Sequence, residues 1–323
     1  MSENRSKVVI TDCDHPSVEI ERKILSEINP KFILAYCNTE DEVIEVAQDA
    51  DGIISQYAPI TKRVIESLKK CKVIARYGVG VDNINIEVAT EHKIIVANVP
   101  DFCIDEVSTH TMALILAYTR GIILLDRKIK EKKWDFTLAK PLFRTQGKIF
   151  GIFGLGNIGS AVAKKASGFG FKIIAYDPYV PKVDHGVRLV EFSELLSDSD
   201  FISIHAPLTA ETRYHFGKNE LKKMKKTAYL INTARGPIVD EEALYQALKN
   251  RWIAGAALDV MEKEPPNWNS SLLRLDNLII TPHIAFYSEE SYVELKTKVA
   301  QTVLSVLKGE LPKAMVNPQV VKG

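Results

Sequence analysis

The stretch 148–177, KIFGIFGLGNIGSAVAKKASGFGFKIIAYD, restricts what this chain can fold into more than any other. It opens with an apolar run at 149–153, of strand length and β-leaning composition. Gly154, Gly156 and Gly159 follow at the spacing G-x-G-x-x-G, and 160–167 is Ala- and Lys-rich, a helical composition. A second apolar run at 172–176 ends in Asp177, about twenty residues beyond the glycines. Strand, glycine turn, helix, strand and acid in this order form the pattern of a dinucleotide-binding unit. The first glycine permits a tight turn, the second lets backbone approach a pyrophosphate, and the third lets helix and strand pack closely. The helix N-terminus offers unpaired N–H groups to the phosphates. Asp177 is placed to accept hydrogen bonds from both ribose hydroxyls, and its charge opposes the extra phosphate of NADP. The expected cofactor is NAD.

A length of 323 residues is that of about two domains. Lys plus Arg number 42 against 41 Asp plus Glu, a balance that argues against a general nucleic-acid or anionic-membrane surface. The basic runs at 222–226 and 128–133 are short and read as solvated helix faces, with local docking as the alternative. Cys13, Cys37, Cys71 and Cys103 are scattered without a CxxC pair, as expected of reduced thiols in a cytoplasmic protein. No His, Cys, Asp or Glu cluster has metal-ligand spacing. The N-terminus carries Glu3, Arg5 and Lys7 and lacks an apolar signal core. The most apolar helix candidate, 112–125, is short and interrupted by Arg120 and Gly121, so no membrane span is expected.

Along the chain, short apolar runs alternate with helical stretches. Strands are expected at 8–10, 32–35, 52–55, 73–75 and 94–97, and helices at 20–28, 40–50 and 61–69. Such alternation implies a parallel sheet covered on both faces. A glycine loop, Arg76-Tyr77-Gly78-Val79-Gly80, leaves the strand at 73–75, where open α/β sheets place ligands. Asn98-Val99-Pro100 marks a break. One long helix is then expected over 104–130, either crossing between domains, packing on a partner subunit, or simply buried. After Asp177 come strands at 201–205, 228–232, 254–258 and 278–281, and helices at 221–224 and 241–249. An amphipathic helix at 288–308 is expected to return to the first domain.

Three chemical signals fall at the ends of successive strands in the second half. Arg235 follows 228–232 into a glycine turn, where a guanidinium can pair bidentately with a carboxylate. Glu264 lies in the turn after 254–258, and His283 follows Pro282 after 278–281. Together on the nicotinamide-bearing half they imply hydride transfer to a 2-keto acid. The alkoxide that develops needs a proton donor, and histidine titrates in the useful range. Glu264 would orient the ring of His283, and Arg235 would bind the substrate carboxylate and polarise its carbonyl. Backbone N–H groups of the loop 77–80 can add an anion nest.

The segments RYGVGVDNI, NVPDFCIDEVSTHTMALIL, GIFGLGNIGSAVA, YDPY, HAPLTAETRYHF, INTARGPIVDEEAL, GAALDVMEKEP and TPHIAFYSEES resemble the D-isomer-specific 2-hydroxyacid dehydrogenase family over nearly the full chain. The resemblance implies a catalytic trio at Arg235, Glu264 and His283. It implies cofactor contacts at Val79, Gly154, Leu155, Gly156, Asn157, Ile158, Gly159, Asp177, His205, Ala206, Pro207, Thr212, Thr233, Ala234, Arg235, Asp259, His283 and Ala285. Substrate contacts are expected at Arg76, Tyr77, Gly78, Val79, Gly80, Arg235 and Phe286. The implied fold class is α/β: two doubly wound parallel-sheet domains, a flavodoxin-like substrate domain at 1–98 and 289–323 and a Rossmann NAD-binding domain at 99–288. Family members have a cleft between domains and usually form a homodimer around the long helix. NVPDFCIDEVS and PHIAFYSEES are similar to the C-terminal-binding-protein branch, whose animal members are transcriptional corepressors, although Phe286 stands where a tryptophan is common there. The chain is also similar to phosphoglycerate dehydrogenases and to hydroxypyruvate or glyoxylate reductases. Ending at Gly323, it is expected to lack the C-terminal regulatory domain that some phosphoglycerate dehydrogenases carry. The expected function is interconversion of a small 2-keto acid and its D-2-hydroxy acid. The alternative is an NAD(H)-gated dimeric binding protein with vestigial catalysis.

Overall fold

The computed structural model describes residues 5–183 and 186–321. The chain divides into two compact units, one formed by Met1–Phe102 with Ser288–Gly323, the other by Cys103–Tyr287.

In the first unit the order is β1 (Lys7–Ile10), α1 (Glu19–Leu25), β2 (Lys31–Leu34), α2 (Glu40–Ala47), β3 (Gly52–Ser55), α3 (Lys62–Ser67), β4 (Val73–Arg76), α4 (Ile86–Glu91) and β5 (Ile95–Ala97). The five strands are parallel in the order β2-β1-β3-β4-β5, the flavodoxin-like winding. β1 and β3 are buried along their whole length. That is why they read as unbroken apolar runs rather than alternating ones.

The second unit continues with α5 (Ile104–Thr119), α6 (Ile122–Lys130), β6 (Ile149–Phe153), α7 (Asn157–Gly168), β7 (Lys172–Tyr176), β8 (Val187–Leu189), α8 (Phe192–Asp198) and β9 (Phe201–Ile204). It ends with α9 (Lys218–Lys223), β10 (Tyr229–Asn232), α10 (Glu241–Lys249), β11 (Gly255–Leu258) and β12 (Leu278–Ile280). Its seven parallel strands are ordered β12-β11-β10-β9-β6-β7-β8, so the order reverses between β6 and β9. Successive strand residues feed opposite cores. Phe150, Ile152 and Ile231 face Met112, Ile115, Val162 and Ala166 of α5 and α7. Phe153, Ile202 and Leu230 face Leu195, Leu221 and Leu244 of α8, α9 and α10.

The chain then returns to the first unit as α11 (Glu289–Leu307), which packs against α1, β3 and β4. A β-carbon on Gly52 would lie 3.1 Å from Val303 Cγ1, so helix and strand are in close contact. Beyond α11, Val316 N–H donates to Val96 O at 2.8 Å, and Asn317 Oδ1 accepts from Val96 N–H at 2.8 Å. The tail thereby seals the open edge at β5.

The expected single helix over 104–130 is two helices, α5 and α6, bent by 62° at Arg120-Gly121. Gly121 adopts φ +62°, and a β-carbon there would lie 3.0 Å from Ala139 Cβ. Among the described residues no single helix is long and apolar enough to cross a membrane. The helix expected at 160–167 starts earlier, at Asn157, and the short elements α4, β8 and α8 were not foreseen.

Candidate active site

The glycine loop sits at the strand-order reversal, joining β6 to α7. Gly154 has φ +92°, and a β-carbon there would stand 2.6 Å from Ala206 N. One on Gly159 would meet Gly154 O at 2.2 Å. One on Gly156 would meet nothing within 4 Å. Gly156 is also the N-cap of α7 and provides no side-chain cap. The loop therefore presents an open face and a bare helix N-terminus, which fits a diphosphate. Asp177, at the end of β7, accepts Leu155 N–H at 2.7 Å through Oδ2 and Tyr179 N–H at 2.9 Å through Oδ1. Its carboxylate is thereby held against the glycine loop.

Behind β9, His205 donates its N–H to Phe153 O at 2.7 Å, and its Nε2 lies 2.8 Å from Ser203 Oγ. Nδ1 is buried without a partner, and burial pushes the imidazole down to about 3, so the ring is neutral. Ala206 abuts Gly154. Thr212 Oγ1 donates to Pro207 O at 2.7 Å and closes the turn that follows.

The trio leaves three adjacent strands, β10, β11 and β12, at their C-terminal ends. Asn232, fully buried, shapes the first turn: its Oδ1 accepts Ala234 N–H at 3.0 Å and its Nδ2 donates to Arg235 O at 2.8 Å. Arg235 Nη1 donates to Ala234 O at 2.7 Å. Thr233 Oγ1 meets Thr111 Oγ1 of α5 at 3.0 Å. Glu264 Oε1 accepts Met261 N–H at 2.9 Å, and Oε2 lies 2.6 Å from His283 Nδ1. Burial works to raise the Glu264 pKa, but His283, the Met261 N–H and the Arg235 charge outweigh it and hold the carboxyl below its usual range. His283 stands at φ +52°, its N–H shared between Asp259 O at 2.7 Å and Thr281 O at 3.1 Å. Its side chain is 32% exposed and that of Glu264 37%, so the pair is open to a small molecule. The ring of Phe286 stands edge-on at 6.2 Å.

Asp259 is the keystone of the His283 loop. Only 2% exposed, it accepts Thr281 Oγ1 at 2.5 Å, Ile284 N–H at 3.0 Å and Ala285 N–H at 2.9 Å. His110 Nε2 lies 3.0 Å from Thr281 Oγ1 and 3.6 Å from Asp259 Oδ1. His110, Thr111 and Asn232 were not singled out in the sequence. For the two in α5 the signal was present as a polar cluster, Ser108-Thr109-His110-Thr111, directly before the apolar run 112–117.

The Arg76 loop belongs to the other unit. A β-carbon on Gly78 would lie 1.7 Å from Arg76 Nη1, so the guanidinium folds over the glycine. Tyr77 corrects the expectation. Its N–H donates to Ser55 O at 2.9 Å, and its phenol is buried and donates to Glu21 at 2.8 Å. Gly78 N–H donates to Arg76 O at 2.9 Å. The anion-nest reading therefore narrows to Val79 and Gly80, because the Tyr77 donor is spent on β3 and the Gly78 donor within the loop. Asn98 Nδ2 steadies the loop by donating to Val79 O at 2.6 Å.

Residues 112–285 match the family profile described as D-isomer specific 2-hydroxyacid dehydrogenase, NAD binding domain. The chain belongs to the D-isomer-specific 2-hydroxyacid dehydrogenases, NAD-dependent oxidoreductases of 2-hydroxy acids. It is 44% identical over 316 residues to a D-3-phosphoglycerate dehydrogenase of Methanocaldococcus jannaschii, covering 96% of this chain and 59% of that one. It is 38% identical to a glyoxylate reductase of Korarchaeum cryptofilum, covering 94% and 95%. A D-lactate dehydrogenase from Aquifex aeolicus, solved with NAD and lactic acid, superposes with a TM-score of 0.86 at 28% identity, covering 96% and 99%.

Proposed function

We propose that this enzyme reduces a small 2-keto acid of the glyoxylate, hydroxypyruvate or 3-phosphohydroxypyruvate type to its D-2-hydroxy acid, or runs the reverse. The observation that carries the reading is the 2.6 Å Glu264–His283 pair beside Arg235, at the ends of adjacent strands. The cofactor supplies or takes the hydride. His283, with Nδ1 turned to Glu264, presents Nε2 to donate a proton to the developing alkoxide. Glu264 fixes that tautomer and, held ionised, stabilises the imidazolium. Arg235 binds the substrate carboxylate and polarises its carbonyl. Val79 and Gly80 offer backbone N–H groups to an anion, and Asp177 reads the adenosine ribose and favours NAD over NADP. The comparisons lend the binding-protein alternative no support.

The test is NADH oxidation, followed by absorbance, with glyoxylate, hydroxypyruvate, pyruvate and 3-phosphohydroxypyruvate. Turnover of at least one is expected, and no turnover of any would overturn the reading. We further place the protein in the cytoplasm as a homodimer. Four buried, unbridged cysteines suit a reducing compartment. Ile122, Ile129, Trp134, Phe136 and Phe143 expose apolar surface on α6 and the segment after it, with Trp134 91% exposed.

A further inference from the structure

Two turns carry Arg235 and Glu264, and the structure joins them directly. A β-carbon on Gly236 would lie 2.0 Å from both C and O of Met261 and 2.5 Å from Glu262 N, so the two backbones touch. Beside that contact stands a reciprocal pair. Glu241, the first residue of α10, donates its N–H to Glu262 Oε1 at 2.7 Å, and Glu262 donates its N–H to Glu241 Oε1 at 2.6 Å. The N-cap carboxylate of α10, Asp240, is occupied with Ala243 N–H, which leaves the first helical N–H to Glu262. The second oxygen of Glu262 accepts the Tyr214 hydroxyl at 3.2 Å. Two half-buried carboxylates side by side repel, and each is held by the other's backbone donor.

We propose that Glu241 and Glu262 are positioning residues: their reciprocal carboxylate-to-backbone bonds clasp the Glu264 turn to the Arg235 turn and so set the spacing of the groups that meet the substrate. The inference rests on Arg235, Glu264 and His283 being the reacting set. Loosening the clasp moves Glu264, and with it the ring of His283, relative to the guanidinium, while the glycine loop at Gly154 is untouched.

The experiment compares Glu241→Ala, Glu262→Ala, the double variant and both Gln variants in steady-state reduction of whichever keto acid the wild type turns over fastest. Each alanine variant is expected to lower kcat about 10- to 100-fold, the scale of an ångström-sized misplacement, with the NADH Kd within about twofold of wild type. The double variant should fall no further than the worse single one, because either change opens the same clasp. Gln keeps the accepting oxygen and should recover kcat to within about threefold. Alanine variants with wild-type kcat, losses that multiply in the double variant, or no recovery with Gln would each overturn the proposal. Glu262→Asp, one methylene shorter and still charged, reads the same geometry if an alanine variant does not fold; it should lower kcat, and wild-type kcat would count against the clasp. His283→Ala is measured alongside. If it too retains turnover, the assignment of the reacting set has failed; if it alone loses turnover, the clasp has.

Discussion

Single residues here act through what holds them. His283 sits at a left-handed backbone angle because its N–H is shared by two carbonyls and its loop is drawn around the Asp259 carboxylate. Replacing it with alanine removes the ring and leaves that loop's anchors, so turnover should fall about a hundredfold or more while NADH binding persists. Stopped-flow reduction and NADH fluorescence titration measure the two separately, and unchanged turnover would take His283 out of the role. His205 makes a different prediction. Its folded pKa lies near 3, against an ordinary value of 6.5, so the unfolded chain takes up a proton that the folded one refuses. Its contribution is complete above pH 6.5 and is lost progressively as pH falls toward 3. In His205→Gln the melting temperature should decline less over that interval than in wild type, and parallel curves would show that the histidine is not held neutral. The positions of Arg235, Glu264 and His283 beyond successive strands were readable from the sequence because each apolar run gives way to a turn that carries a charged or titratable side chain. Their supports were not, since His110 meets Thr281 and Thr111 meets Thr233 across separations of 171 and 122 residues.

At the level of elements, the glycine turn separates two requirements. Gly154 is needed for folding: an L side chain at its positive φ costs about 1–2 kcal/mol, before the clash with Ala206. Gly156 carries no such packing constraint, since a methyl there meets no protein atom within 4 Å, and under the proposed function its bareness serves the ligand. Gly156→Ala should keep the wild-type melting temperature and weaken NADH binding, whereas Gly154→Ala should lower the melting temperature. Equal effects of the two on stability would refute the distinction. Strands such as β3, β6 and β7 were legible because burial on both faces leaves uninterrupted apolar runs between turn residues. The edge strand β8 and the six-residue α4 lack that signature. The bend at Gly121 has a sign in the sequence, the Arg120-Gly121 interruption, but apolar residues resume directly after it, so a single helix is expected where the left-handed backbone makes two.

For the whole molecule, the two units differ in how their chains are laid out. Cys103–Tyr287 is continuous and has a core on each face of its sheet. Expressed alone, it should melt cooperatively and bind NADH; calorimetry and fluorescence report both, and an unfolded fragment would contradict its independence. The other unit is split, with α11 covering β3 and β4 and the 316–317 segment sealing β5. During synthesis its five strands leave the ribosome first but stay uncovered until α11 emerges. At about 5–20 residues per second, the intervening unit imposes a wait of roughly ten to forty seconds. Nascent-chain chaperones would meet their apolar targets in this earliest-made sheet, and the inserted unit would be the first to reach its native state.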